Sequence, residues 1–171
     1  AADAETDYLN LNDTTAAGDN DTIWNDTAPT SSVFSVGTNT DVNGSGRTYV
    51  AYVFADVKGY SKMGSYVGNG NSTFVYTGFR PAYLLLKVSS ATNGWLILDS
   101  KRTTSNPMGA YNYANTAAAQ GTVSYIDFLS NGFSLVSTSS VAVNQASATY
   151  VYAAFAEAPI VSSNDVPTVA R

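Results

Sequence analysis

The chain has 171 residues, of which 44% are hydrophobic, 12% aromatic and only 12% charged, and its formal net charge is −5. So much apolar side chain with so little charge excludes a disordered chain, and the acidic balance argues against a surface that gains affinity by neutralising phosphates, so nucleic acid is not an expected partner. There is no Cys and no His, which removes disulfides, thiolate nucleophiles, imidazole bases and metal sites built on either residue, and no cofactor is expected. The length suits one domain burying roughly 70% of its unfolded surface. The longest apolar stretches, such as Tyr83-Leu84-Leu85-Leu86 and Trp95-Leu96-Ile97-Leu98, fall far short of the roughly 18 to 20 residues that cross a bilayer, so no membrane insertion is expected.

Runs rich in Val, Tyr, Phe, Leu and Ile alternate with clusters of Gly, Asn, Ser, Thr and Asp, a pattern of strands and tight turns. In chain order, strands are predicted at 8–12, 33–36, 48–56, 59–66, 73–77, 82–88, 95–99, 125–129, 134–137 and 149–157, with a short helical turn at 115–120. Asn43-Gly44, Asn69-Gly70, Asn93-Gly94 and Asn131-Gly132 supply turn residues that tolerate positive φ. The fold class is therefore all-β, an antiparallel β-sandwich of jelly-roll type.

The two longest predicted strands resemble each other. Thr48-Tyr49-Val50-Ala51-Tyr52-Val53-Phe54-Ala55-Asp56 matches Thr149-Tyr150-Val151-Tyr152-Ala153-Ala154-Phe155-Ala156-Glu157, each pair 101 positions apart (149 minus 48). Read as an internal duplication, this gives one sandwich domain over 1–158, with pseudo-repeats at about 8–56 and 111–157, and a tail at 159–171 without periodicity. The second repeat is preceded by segments that the first lacks, which predicts that the natural chain extends upstream of Ala1.

The strings Gly46-Arg47-Thr48-Tyr49-Val50-Ala51-Tyr52, Lys58-Gly59-Tyr60-Ser61-Lys62-Met63-Gly64-Ser65-Tyr66 and Phe74-Val75-Tyr76-Thr77-Gly78-Phe79-Arg80-Pro81-Ala82 resemble a module of uncharacterised bacteriophage virion proteins. So do Ile126-Asp127-Phe128-Leu129-Ser130-Asn131-Gly132-Phe133 and residues 150–157. The resemblance runs from about Tyr8 to Arg171, and such modules recur towards the carboxyl end of tail-fibre-like proteins in phages of marine bacteria and cyanobacteria. It implies a structural protein at the virion surface, assembled as a homotrimer with other virion proteins, and it brings no catalytic residue.

On that basis a tail-fibre or spike module contacting a host surface polysaccharide is expected, against a head-decoration or fibre-building protein acting only through protein contacts, or a polysaccharide depolymerase. Sugar recognition by a sandwich uses flat aromatic rings near loops, which makes Tyr60, Tyr66, Tyr76, Tyr111 and Tyr113 candidate glycan contacts. Tyr49, Tyr52, Tyr150 and Tyr152, in mid-strand, are expected to be scaffold. Asp56 and Glu157, at equivalent strand ends, form the one carboxylate pair resembling a glycosidase arrangement, but strand capping or pairing with Lys58 or Arg80 is the simpler role. Asp13, Asp19, Asp21 and Asp26 offer oxygen ligands without the spacing of a calcium loop, so they read as a turn-rich connection and no metal site is assigned.

Overall fold

The computed structural model describes residues 5–122, 124–136 and 139–157. It is an all-β structure of antiparallel sheets. Residues 5–57 hold only the two-residue strands β1 (Asp7–Tyr8) and β2 (Gly18–Asp19) and the single helical turns α1 (Asp21–Trp24) and α2 (Thr40–Asn43). The sandwich follows: β3 (Ser61–Val67), β4 (Thr73–Tyr76), β5 (Pro81–Val88), β6 (Leu96–Asp99), β7 (Ala110–Tyr113), β8 (Gly121–Thr122), β9 (Ile126–Leu129), β10 (Gly132–Leu135) and β11 (Thr149–Ala156). One layer has the order β3-β11-β5-β6-β7-β8 and the other β4-β10-β9. Four consecutive strands, β5 to β8, meander within the larger layer where a jelly roll would alternate between layers.

Period-two burial fixes the register. β5 turns Leu84, Leu86 and Val88 inward, β6 Leu96 and Leu98, and β11 Tyr150, Tyr152 and Ala154, while Ile126, Phe128, Phe133 and Leu135 face them from the smaller layer. The layers meet through aromatic edges. Phe133 stands edge-on to Tyr152 and Tyr66 with ring centroids 5.3 Å and 6.1 Å apart, and within the larger layer Tyr66 lies 4.9 Å from Tyr150 in a near-parallel stack.

Several tyrosines fill space beside a cross-strand glycine. Tyr8 faces Gly18, Tyr111 faces Gly121 and Tyr152 faces Gly64 in direct register, each ring lying over the bare backbone of its partner. A Cβ on Gly64 would sit 2.6 Å from the Tyr152 hydroxyl, and Tyr152 is buried, so its ring has nowhere to go. Gly64→Ala is expected to destabilise the protein by about 1–3 kcal/mol through overpacking. Chemical denaturation checks this, and an unchanged midpoint would mean that the ring moves aside freely.

The N-terminal region is tied to the larger layer by polar contacts. Lys87, fully buried, donates from Nζ to the carbonyls of Thr14 (3.2 Å), Val88 (2.8 Å) and Ala91 (3.3 Å). Burial holds its ammonium below the usual lysine value, although Asp13 works in the opposite direction. Ala17 N–H to Ser89 O, Asn93 N–H to Thr14 O and Trp95 Nε1–H to Asn10 O complete the attachment.

Several expected elements take another form. Residues 33–36 and 48–56 are not strands: they run as irregular, exposed chain, and only the edge of 8–12 enters a ladder, as β1. Their sequences favour extended backbone, but a strand exists only where a neighbour completes the ladder, and none does so among the described residues. The duplication accordingly has no structural counterpart there, since 149–156 is an interior strand of the six-stranded sheet whereas 48–56 lies outside both sheets. Residues 115–120 form no helix, while Asn20 and Asn39, each accepting a backbone N–H two residues ahead, cap the two helical turns. The tail assigned to 159–171 lies outside the described residues.

Candidate functional site

The tyrosines expected to bind glycan do not form one site. Tyr66 is turned into the core: its ring stacks on Tyr150, its hydroxyl donates to Val143 O at 2.6 Å, and burial pushes its phenol well above 10. Tyr111 and Tyr113 do come together, 5.2 Å apart and edge to face, but each packs over a glycine, Gly121 and Gly94, and both are partly buried. Tyr60 is exposed and approaches Phe155 at 6.0 Å. Tyr76, 65% exposed on β4, is the most open of the five. Sequence position near loops put these rings together in one class, whereas pairing opposite a glycine or a second ring decides which are scaffold.

The carboxylates are engaged locally. Asp56 pairs with Lys62 and accepts the Met63 N–H at 2.7 Å, both of which hold its carboxyl below the usual value, and Glu157 pairs with Arg80 at 3.0 Å. Asp13 accepts the N–H groups of Thr14 and Thr15, and Asp21 lies in the first turn of α1. Among the described residues no three acidic side chains converge on a common point.

One concavity among the described residues was not anticipated from the sequence. It is a groove of about 540 Å³ between the N-terminal turns and residues 49–54. Trp24, Phe34 and Val42 form one side and Tyr49, Tyr52 and Phe54 the other, with Asp41 the one charged side chain among its described lining residues. Each wall is held by backbone accounting. Trp24 Nε1–H donates to Asp7 O at 3.1 Å, Gly37 N–H to Ile23 O and Asn39 N–H to Thr22 O. Gly37 approaches Thr22 so closely that a Cβ would lie 2.0 Å from its carbonyl oxygen, so only glycine fits. The Tyr49 hydroxyl donates to Thr40 O at 2.6 Å and accepts Gly44 N–H at 2.7 Å, fastening the far wall to α2. Tyr49 and Tyr52, expected as scaffold, are instead surface residues, Tyr52 being 83% exposed. The Trp24 and Pro29 side chains amid an Asp/Asn-rich stretch were the available signal.

Chemically this arrangement combines apolar walls, hydroxyls and one carboxylate. The fold and the groove define an all-β sandwich with an appended irregular apolar face. The chain belongs to the family described as Domain of unknown function (DUF7483), whose model matches residues 1–159. No curated protein and no solved structure matches it.

Proposed function

We propose that the chain is a structural module of a bacteriophage virion, of the tail-fibre or spike kind, exposed on the particle and acting through contacts with identical subunits and other virion proteins without catalysis. The observation that carries this reading is the exposed apolar run at 50–54, where Val50, Tyr52, Val53 and Phe54 are each more than 60% exposed. A chain that leaves contiguous large apolar side chains in water presents a protein interface. The resemblance of residues 46–52 and 150–157 to phage virion modules supplies the setting. Engagement of Asp56 and Glu157 with Lys62 and Arg80 weighs against depolymerase chemistry.

Contact with a host surface glycan is a second reading, favoured by the groove in which Trp24 and Tyr52 lie with the Asp41 carboxylate. Gold-labelled antibody against the chain, applied to phage particles, tests the proposal. Label at the tail periphery is expected, a regular lattice over the head favours decoration, and no label on any particle overturns the virion reading. Loss of polysaccharide binding in Trp24→Ala would separate glycan contact from assembly alone.

A further inference from the structure

The run from Thr48 to Ala55 is the strongest strand-forming sequence outside the sheets: Thr, three Val or Phe, two Tyr and two Ala, with no charge. Among the described residues, the one main-chain group from 48 to 56 with a hydrogen bond is the Ala55 carbonyl, which accepts from Ser61 Oγ at 2.7 Å. It is a strand without a ladder.

An open edge stands on the same chain. Among the described residues β3 has a partner strand, β11, on one side only. Ser61 N–H goes to Val57 and Met63 N–H to Asp56, so the odd-numbered residues of β3 direct their main-chain groups away from β11, and by the same alternation Ser65 and Val67 face outward. Both are exposed, and neither has an outward hydrogen bond among the described residues. The chain's own segment is kept off this edge. Continuing the antiparallel Val57↔Ser61 bridge would set Ala55 opposite Met63, but the Asp56 carboxylate, clasped by Lys62, already takes the Met63 N–H.

We infer that residues 48–55 form an intermolecular strand completed by a second copy of this chain, the segment of one subunit adding to the Ser65–Val67 side of β3 in the next. The two unsatisfied halves are present in equal number in identical copies, and the lack of charge in the segment offers nothing to a charged ligand. The exposed apolar side chains of the segment itself, Tyr49 to Phe54, amount to roughly 600 Å², taking about 200 Å² for an aromatic ring and about 150 Å² for Val, the larger part of the ~800 Å² per partner of a standard interface before the main chain is added. Main-chain pairing of this kind gives affinity, and side chains on alternate faces give specificity. A head-to-tail exchange of this form closes into a ring or continues as a fibre.

This rests on the assembly reading and deepens it, yet the two fail separately, because a protein located on particles but monomeric in solution keeps the first and ends the second. The test is the mass of the full chain by sedimentation equilibrium at micromolar concentration. The wild type is expected as an oligomer, and Val53→Pro and the double variant Val50→Lys/Tyr52→Lys as single chains that still fold, each with a cooperative thermal melt at a midpoint below that of the oligomer, since Val50, Tyr52 and Val53 belong to neither sheet of the single chain and Val53 N–H has no hydrogen bond among the described residues. Tyr76→Lys, exposed on the other layer, is expected to remain oligomeric. Hydrogen exchange at 48–55 should quicken at least tenfold in both variants. A monomeric wild type, including one that protects 48–55 by its own chain, or an oligomer that survives both variants, overturns the inference.

Discussion

Replacing Tyr150 by alanine is expected to lower the stability of this protein by about 3–5 kcal/mol, roughly a fifth or more of the ~5–15 kcal/mol that native domains have in total. Tyr150 is fully buried on β11, between β3 and β5, and its ring stacks on Tyr66 at an interplanar angle of 8°. Its hydroxyl accepts the Gln145 N–H at 2.9 Å and donates to Val141 O at 3.0 Å, so it also pins the turn that leads into β11. Truncation leaves a cavity that the layers cannot close and frees that turn. Tyr150→Phe keeps the ring and removes only the hydroxyl, leaving the Gln145 N–H without its acceptor, at about 1–2 kcal/mol. Urea denaturation of both variants separates ring packing from turn anchoring: equal losses would place the whole effect in the hydrogen bonds.

The second large effect is an alkaline transition. Burial raises the phenols of Tyr66, Tyr83, Tyr113, Tyr150 and Tyr152 above 10, Tyr66 the most. The unfolded chain loses these protons near pH 10 while the folded chain still holds them. Their stabilisation is therefore complete below about pH 10 and is lost as pH rises towards the folded values, by up to about 1.4 kcal/mol per pH unit for each of the core phenols Tyr66, Tyr150 and Tyr152 and by less for Tyr83 and Tyr113, which solvent screens. Lys87 acts with the opposite sign below about 10.5, because its folded value is depressed, but it is one group against five. A cooperative loss of circular dichroism is expected above pH 10, coincident with a step in tyrosinate absorbance. A gradual titration with the fold intact would show that water reaches these rings.

The two predictions locate what the amino-acid order determined. β3, β4, β5, β6, β9 and β11 fall on or near runs whose composition and period mark them as strands, because each buries alternate residues on one face and so writes its register into the sequence. Tyr150 and Tyr152 were legible as scaffold for that reason. β7, with the sequence Ala-Tyr-Asn-Tyr, was not, since four residues that are half polar carry no clear alternation and become a strand only by pairing with β6.

What only the tertiary structure decided is partnership. Residues 48–56 and 149–157 share five of nine residues, yet one is an exposed run and the other an interior strand, because β-structure is completed by neighbours and the Asp56 carboxylate closes the position that the first segment would take. The same reason divides the tyrosines. Tyr66 is core because Tyr150 stands opposite it, Tyr111 is scaffold because Gly121 leaves room for its ring, and Tyr52 is surface because nothing among the described residues covers it. Local sequence carries propensity and period, and the identity of the group across the strand, which sequence distance hides, settles whether a ring is buried or left at the surface.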